Sequence, residues 1–325
     1  VVPRPHRRWP AAVAQALLAL VAGVAALGGS PAAQAGALQG SLRYCDKPAK
    51  LSAGEQDTLL RFAAVVKTAL EDAGQPLALV ARSGLDLARF GHRYSHAGVA
   101  LADSANTPWS VRQLYFDCDA QRPRLFDQGL AGFVLGTDDP GTGYLSVLLL
   151  PPEAAAALAP LALDNPGSLQ WLAARYSANA HAFSTAYQNC NQWLVELLAA
   201  AWAPLPGQAD APGAAVTERS GAQRWLREQG YEPSRFDIGF RPLMWLGTAL
   251  VPYLHDDDHP AADLDQAVYR VSMPASIEAW VQRRWPAAQR LEFCHAGRQV
   301  VVHRGWTPVA EGCEAGAGDS VIPLD

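Results

Sequence analysis

From residue 36 onward the chain has no block of lysines or arginines, and charged residues make up only 18% of the whole. With a net charge of −5 it offers little electrostatic attraction to nucleic acid or to an acidic membrane surface, so neither is expected as a partner. No internal repeat is present, which argues against solenoids and propellers. No cysteine immediately follows the small-residue run near residue 35, so no lipoprotein anchor is indicated.

What is present begins at the N-terminus. Arg4, His6, Arg7 and Arg8 precede an apolar run over 11–27, broken by Gln15, and then comes Ala33-Gln34-Ala35. Basic, apolar and small-x-small segments in that order predict a signal peptide over 1–35, cleaved after Ala35. The expected location is periplasmic or secreted, with no membrane span left after cleavage. Half of the residues are hydrophobic, enough for one large domain or two small ones.

Five cysteines, at 45, 118, 190, 294 and 313, all lie beyond that segment. An oxidising compartment pairs cysteines, and an odd count leaves a thiol over. Cys294 and Cys313 flank an expected C-terminal hairpin, while Cys45 and Cys118 lie in loops at element ends. Pairing 45–118 and 294–313 leaves Cys190 free, although connectivity does not follow from sequence alone.

Ser52-Ala53-Gly54-Glu55 is a capping-box pattern. Apolar residues at 59, 60, 62, 63, 66 and 70 continue it as a helix that Gly74 closes. Strands are expected at 77–81, around His96, at 109–116, at 144–150 and near 267–273. Helices are expected at 152–163, 168–175, 191–202, 217–229 and 276–285, with a hairpin over 291–306. Residues 204–216, rich in Pro, Gly and Ala, read as a surface loop or hinge. The order predicts an α+β fold on an antiparallel sheet.

Cys190 stands where the polar run Tyr187-Gln188-Asn189-Cys190-Asn191-Gln192 turns into a helix. A helix N-terminus favours thiolate over thiol, and the polar neighbours suggest a first turn at the surface. His96 lies in a strand beside Ala97, Gly98 and Ala100, small residues that suit a cleft wall; His92 is the reserve candidate. A cysteine nucleophile needs such a base, and the base needs a polar partner. The next strand offers Ser110, Arg112 and Gln113, of which the amide of Gln113 is preferred. Tyr187 and Gln188 are candidate oxyanion donors beside the Cys190 N–H. His255-Asp256-Asp257-Asp258-His259 could hold a divalent cation, but a solvated acidic turn is the expectation, so no metal site and no cofactor is assigned. Trp109 and Trp171 are expected to pack rather than line a cleft.

His96 in Ser95-His96-Ala97-Gly98-Val99, with Asn189-Cys190 opening a helix far downstream, resembles the circularly permuted branch of the NlpC-type, papain-like superfamily. That branch includes lecithin retinol acyltransferase-like proteins and runs His before Cys. The exported region as a whole is similar to a bacterial family of exported proteins, domain of unknown function 2145. Residues 89–100, 109–115 and 187–193 carry that likeness. The permuted relatives imply hydrolysis or transfer at an amide, ester or thioester; where they have Ser or Glu after the cysteine, this chain has Asn191. The resemblance implies a permuted papain-like core over 36–203 with a C-terminal extension over 204–325 packed on it. Compartment and kinship imply an envelope amide or ester, such as cell-wall peptide, as substrate. A non-catalytic envelope binding protein on the same fold is the alternative.

Overall fold

The capping box at Ser52 sets the first helix. In the computed structural model, which describes residues 50–137, 139–203 and 216–324, Glu55 N donates to Ser52 Oγ at 3.3 Å and Ser52 N donates to Glu55 Oε2 at 2.7 Å. Helix α1 (Ala53–Asp72) buries Leu59, Phe62, Ala63, Val66 and Leu70, whereas Leu60 faces solvent. Gly74 leaves the helix with a φ of +62°, a conformation that favours glycine. The expected signal peptide and Cys45 lie outside the described residues, as does nearly all of the 204–216 loop.

The strands are β1 (Leu77–Arg82), β2 (His96–Leu101), β3 (Ser110–Asp117), β4 (Arg122–Gly129), β5 (Thr142–Leu149), β6 (Ser234–Asp237), β7 (Val268–Val271), β8 (Gln289–Ala296), β9 (Gln299–Arg304) and β10 (Ser320–Pro323). Eight form one sheet in the order β10-β9-β8-β5-β1-β2-β3-β4, and β6 pairs with β7 in a second. The pairings between these strands are antiparallel. The segment expected as a C-terminal extension contributes β8, β9 and β10 to the main sheet, with β8 paired along β5 from Gln289 to Ala296.

The helices are α2 (Leu130–Val134), α3 (Pro152–Leu163), α4 (Asn165–Gln170), α5 (Cys190–Trp202), α6 (Arg219–Glu228), α7 (Arg241–Leu250), α8 (Ala261–Asp265) and α9 (Pro274–Arg284). Helix and antiparallel sheet together make this an α+β protein. Side chains alternate across the sheet. Leu79, Ala81, Ala97 and Val99 join the core of α3, α5, α6 and α9. Ala78, Val80, Ala100 and Val111 join that of α1 and α2. No helix among the described residues is long and apolar enough to cross a membrane.

Two elements have weak sequence patterns. Strand β4 is half exposed and carries Pro123 between Arg122 and Arg124, as suits an edge strand. Helix α7 buries only Met244, leaving Leu243, Trp245, Leu246 and Leu250 exposed, so it shows no buried face. The helix expected at 168–175 instead begins at Asn165, where Asp164 caps it by accepting from Gly167 N at 2.8 Å.

Cys294 of β8 and Cys313 form the expected disulfide. Cys118 is also disulfide-bonded; its expected partner Cys45 lies outside the described residues. Nearby, the buried Glu292 accepts from Arg93 at 2.9 Å, Arg290 at 3.1 Å and Val309 N at 2.8 Å. This ties the C-terminal strands to the approach to β2. The 294–313 bridge closes a sequence separation of 19 residues, for which loop-closure entropy gives about 3 kcal/mol. A Cys294→Ala/Cys313→Ala protein is therefore expected to lose about 3 kcal/mol in urea unfolding; an unchanged midpoint and slope would refute that role.

Candidate functional site

Cys190 is the first residue of α5, and the cap is Asn189: its Oδ1 accepts from Gln192 N at 2.7 Å. The thiol is free. Trp193, Leu194 and Leu197 pull the helix into the core. Its first turn is not at the surface as the polar flank suggested, because Gln188, Asn189, Asn191 and Gln192 are all buried. The first turn is held against the residue that precedes β2. Asn191 Nδ2 donates to Ser95 O at 3.1 Å, and Cys190 Sγ lies 4.0 Å from the same oxygen.

The buried polar flank is organised around Glu196, one and a half turns further along α5. Its carboxylate accepts from Gln188 Nε2 at 2.6 Å, Gln223 Nε2 at 2.7 Å, Gln192 Nε2 at 3.2 Å and Arg219 Nε at 2.7 Å. Gln188 is thus a structural strut: its Nε2 also donates to Trp171 O, and its Oε1 accepts from Ala173 N. Tyr187 points elsewhere, donating to Asp257 at 3.0 Å and stacking on His255 with ring centroids 4.3 Å apart. The structure does not bring either expected oxyanion side chain to the cavities at Cys190.

His96 opens β2 directly opposite Arg82 of β1. The β2–β3 ladder stops at Val99–Arg112, and beyond it side chains join the strands. The His96 Nε2 is 2.7 Å from Gln113 Oε1, while Gln113 Nε2 donates to Gln128 at 2.9 Å. An amide oxygen can only accept, so Nε2 carries the proton and Nδ1 keeps the lone pair. The ring stacks on Tyr115 at 4.4 Å. Gly98 allows the close approach of the strands, since a Cβ there would lie 2.7 Å from Arg112 O.

Cys190 and His96 line one cavity of about 40 Å³, together with Arg82, Gly84, Ser95, Tyr115 and Tyr176. They reach it from different sides. By strand alternation His96 points to the α1–α2 face with Arg82 and Gln113, whereas Cys190 belongs to the α5 face. Thiol and imidazole make no hydrogen bond with each other. The space between them is large enough for a water molecule.

Burial decides the charge states. It pushes the Cys190 thiol up to about 12, against the lowering pull of the helix N–H groups and the Arg82 charge. It pushes His96 down to about 3, helped by Arg82 and opposed by Gln113. The helix terminus therefore does not win, contrary to what its position in the sequence suggests. The resting pair is neutral.

A second cavity of about 240 Å³ meets Cys190 from the other side. Leu87, Phe90, Phe236, Ile238, Leu254 and Met273 make it largely apolar, with Arg89 as its one charged residue. A wider cleft of about 660 Å³ between α1 and strands β5, β8 and β9 contains neither cysteine nor histidine.

The other candidates sit elsewhere. His92 stacks on Phe236 at 4.8 Å and lines neither cavity. Trp109 and Trp171 are packed in the cores. The His255–His259 segment is not a solvated turn. Asp256 accepts from Tyr269 OH at 2.5 Å, Asp258 from His181 N at 2.9 Å, and His259 Nε2 lies 2.8 Å from Asn179 O. No metal-binding cluster is found among the described residues. Arg82 and Tyr115 are site residues that sequence pattern alone does not reveal. In the sequence Arg82 reads as the start of a loop after β1, and Tyr115 carries no signal apart from standing two residues after Gln113.

A family model described as an uncharacterized protein conserved in bacteria (DUF2145) matches residues 69–281, about two thirds of the chain and every residue of the Cys190 cavity. The chain belongs to that family. No curated protein and no solved structure matches it.

A thiol held neutral by burial ionises in the alkaline range. Alkylation of Cys190 by iodoacetamide is expected to rise about tenfold per pH unit from pH 7 to 9 without a plateau. A rate already level at pH 7 would mean that the thiol is ionised at neutrality and that burial does not control it.

Proposed function

We propose that this family member is a thiol hydrolase or acyltransferase that attacks an amide, ester or thioester through Cys190, with His96 as base and Gln113 orienting it. One observation carries the reading: the free cysteine at the start of a helix shares a cavity with a histidine already paired to an amide oxygen. The order His before Cys, on an antiparallel sheet with the cysteine helix packed on it, supports a permuted papain-like core. The basic-apolar-small N-terminal sequence supports export to the periplasm or beyond, with an envelope amide or ester such as cell-wall peptide as substrate.

In this scheme His96 Nδ1 takes the Cys190 proton through a water in the shared cavity, since catalytic contacts are often long before substrate binds. The sulfur attacks the carbonyl carbon, forming a C–S bond while the carbonyl π pair moves onto oxygen. The N–H groups of Cys190 and Asn191 in the first turn face that charge. The tetrahedral centre collapses with loss of the leaving group, which receives the proton from His96. Water, or another acceptor, then cleaves the thioester and restores the thiol. The apolar cavity beside Cys190 suits a substrate whose group next to the scissile carbonyl is uncharged.

A second reading, a non-catalytic binding module, draws on the raised thiol pKa. The two differ in covalent chemistry. Incubated with a panel of activated esters and acyl thioesters, the protein is expected to show an acyl adduct on the Cys190 peptide by mass spectrometry. His96→Ala is expected to slow its formation about 10²–10⁴-fold, and Cys190→Ala to abolish turnover. Turnover by Cys190→Ala at the parent rate would exclude the enzymatic scheme; saturable ligand binding with no adduct would favour the module.

A further inference from the structure

We propose that the counter-charge of the Cys190 thiolate is the guanidinium of Arg82, buried in the same cavity without a carboxylate, and that His96 is a transient proton carrier rather than the thiolate's ionic partner. This rests on the reading of Cys190 as nucleophile and adds a residue to it.

Arg82 ends β1 and is only 5% exposed. Its hydrogen bonds all go to neutral oxygens: Ser83 O at 3.1 Å, Gly136 O, and Tyr115 OH at 2.5 Å. Its Nε has no partner. Among the described residues no carboxylate pairs with it. A buried guanidinium is ordinarily matched by an anion, because burying a lone charge is expensive. Among the described residues no matching charge stands beside Arg82, and the cavity group that must carry a negative charge in the proposed reaction is the Cys190 thiol.

The slot for this side chain is built into the backbone. A Cβ on Gly84 would lie 2.5 Å from Arg82 Nη1, and one on Gly136 would lie 2.5 Å from Nη2 and 2.7 Å from Cζ. Two glycines from separate segments thus leave room for the guanidinium, which Tyr115 holds from β3. The same tyrosine stacks on His96, so charge and base share one support.

The titratable groups that face Cys190 across its two cavities are Arg82 of β1, Arg89, His96 of β2, Tyr115 of β3, Tyr176 and Tyr269 of β7. None is a carboxylate, so nothing nearby opposes a negative sulfur, and Arg82 opposes a positive imidazole. A positive charge at this point stabilises the thiolate and discourages the imidazolium. Proton loss from sulfur is then balanced by passage of the proton through His96 to the leaving group or to water, leaving S⁻ beside the guanidinium.

The test is the pH profile of Cys190 alkylation by iodoacetamide on the full chain with its disulfides intact, read beside circular dichroism. At pH 9, Arg82→Met is expected to slow alkylation about tenfold or more, one pKa unit being tenfold. Arg82→Lys, which keeps the charge, and His96→Gln are each expected to stay within about threefold of the parent. A folded Arg82→Met with the parent profile overturns the proposal. So does a His96→Gln profile displaced by a unit or more towards higher pH, an arm that decides the matter even if Arg82→Met does not fold. A thiol that stays unreactive up to pH 10 in the native parent removes the nucleophile, and this inference with it. A reactive thiol indifferent to Arg82 removes this inference alone.

Discussion

A carboxylate with no access to water governs how the chain reaches its cysteine. Glu196 is fully buried in α5, and burial raises its pKa even though Arg219 and the amides of Gln223 and Gln188 press the other way. Its partners come from the segment before α5 (Gln188), from α5 itself (Gln192) and from α6 (Arg219, Gln223). Removing a partner from a buried charge costs about 3–5 kcal/mol, so the approach to Cys190 has essentially one arrangement. Gln188 passes that constraint on to Trp171 and Ala173 through its remaining hydrogen bonds.

The other half of the site is set by where the sheet frays. The pairing of β2 with β3 ends before it reaches His96, and the pairing of β1 with β2 ends at Arg82–His96. At that margin side chains of the α1–α2 face can turn past the strand ends and meet one from the α5 face. Ser95 is the hinge of the arrangement. Its carbonyl receives the first turn of α5, and its hydroxyl accepts from Leu85 N at 2.9 Å, which shapes the wall between the two cavities.

Periodicity and local chemistry are informative where an element has one face to bury or one terminus to satisfy. The capping box of α1, the helix start beside Cys190, the strand at His96 and the neighbouring Gln113 all follow from such patterns. Orientation within irregular segments does not. Gln188 and Tyr187 stand next to Cys190 in sequence, yet the extended stretch before the helix turns one inward to Glu196 and the other out to Asp257. The acidic run at 256–258 reads as solvated because its partners, Tyr269, Tyr187 and His181, are remote in sequence. Arg82 is hidden for a similar reason: nothing local announces that Gly136, 54 residues away, completes with Gly84 a slot for it. Strand β4 and helix α7 lack the one-sided burial that a pattern search detects.

Of the eight strands, β4 closes one side of the main sheet, and the edge of such a sheet ordinarily invites another chain to add itself. Pro123 has no amide hydrogen to lend, and Arg122 and Arg124 on either side of it place charged side chains along that edge, Arg124 paired with Asp117 of β3 at 2.9 Å. The same residues that make this strand hard to find in the sequence thus guard the folded molecule against polymerising along that side.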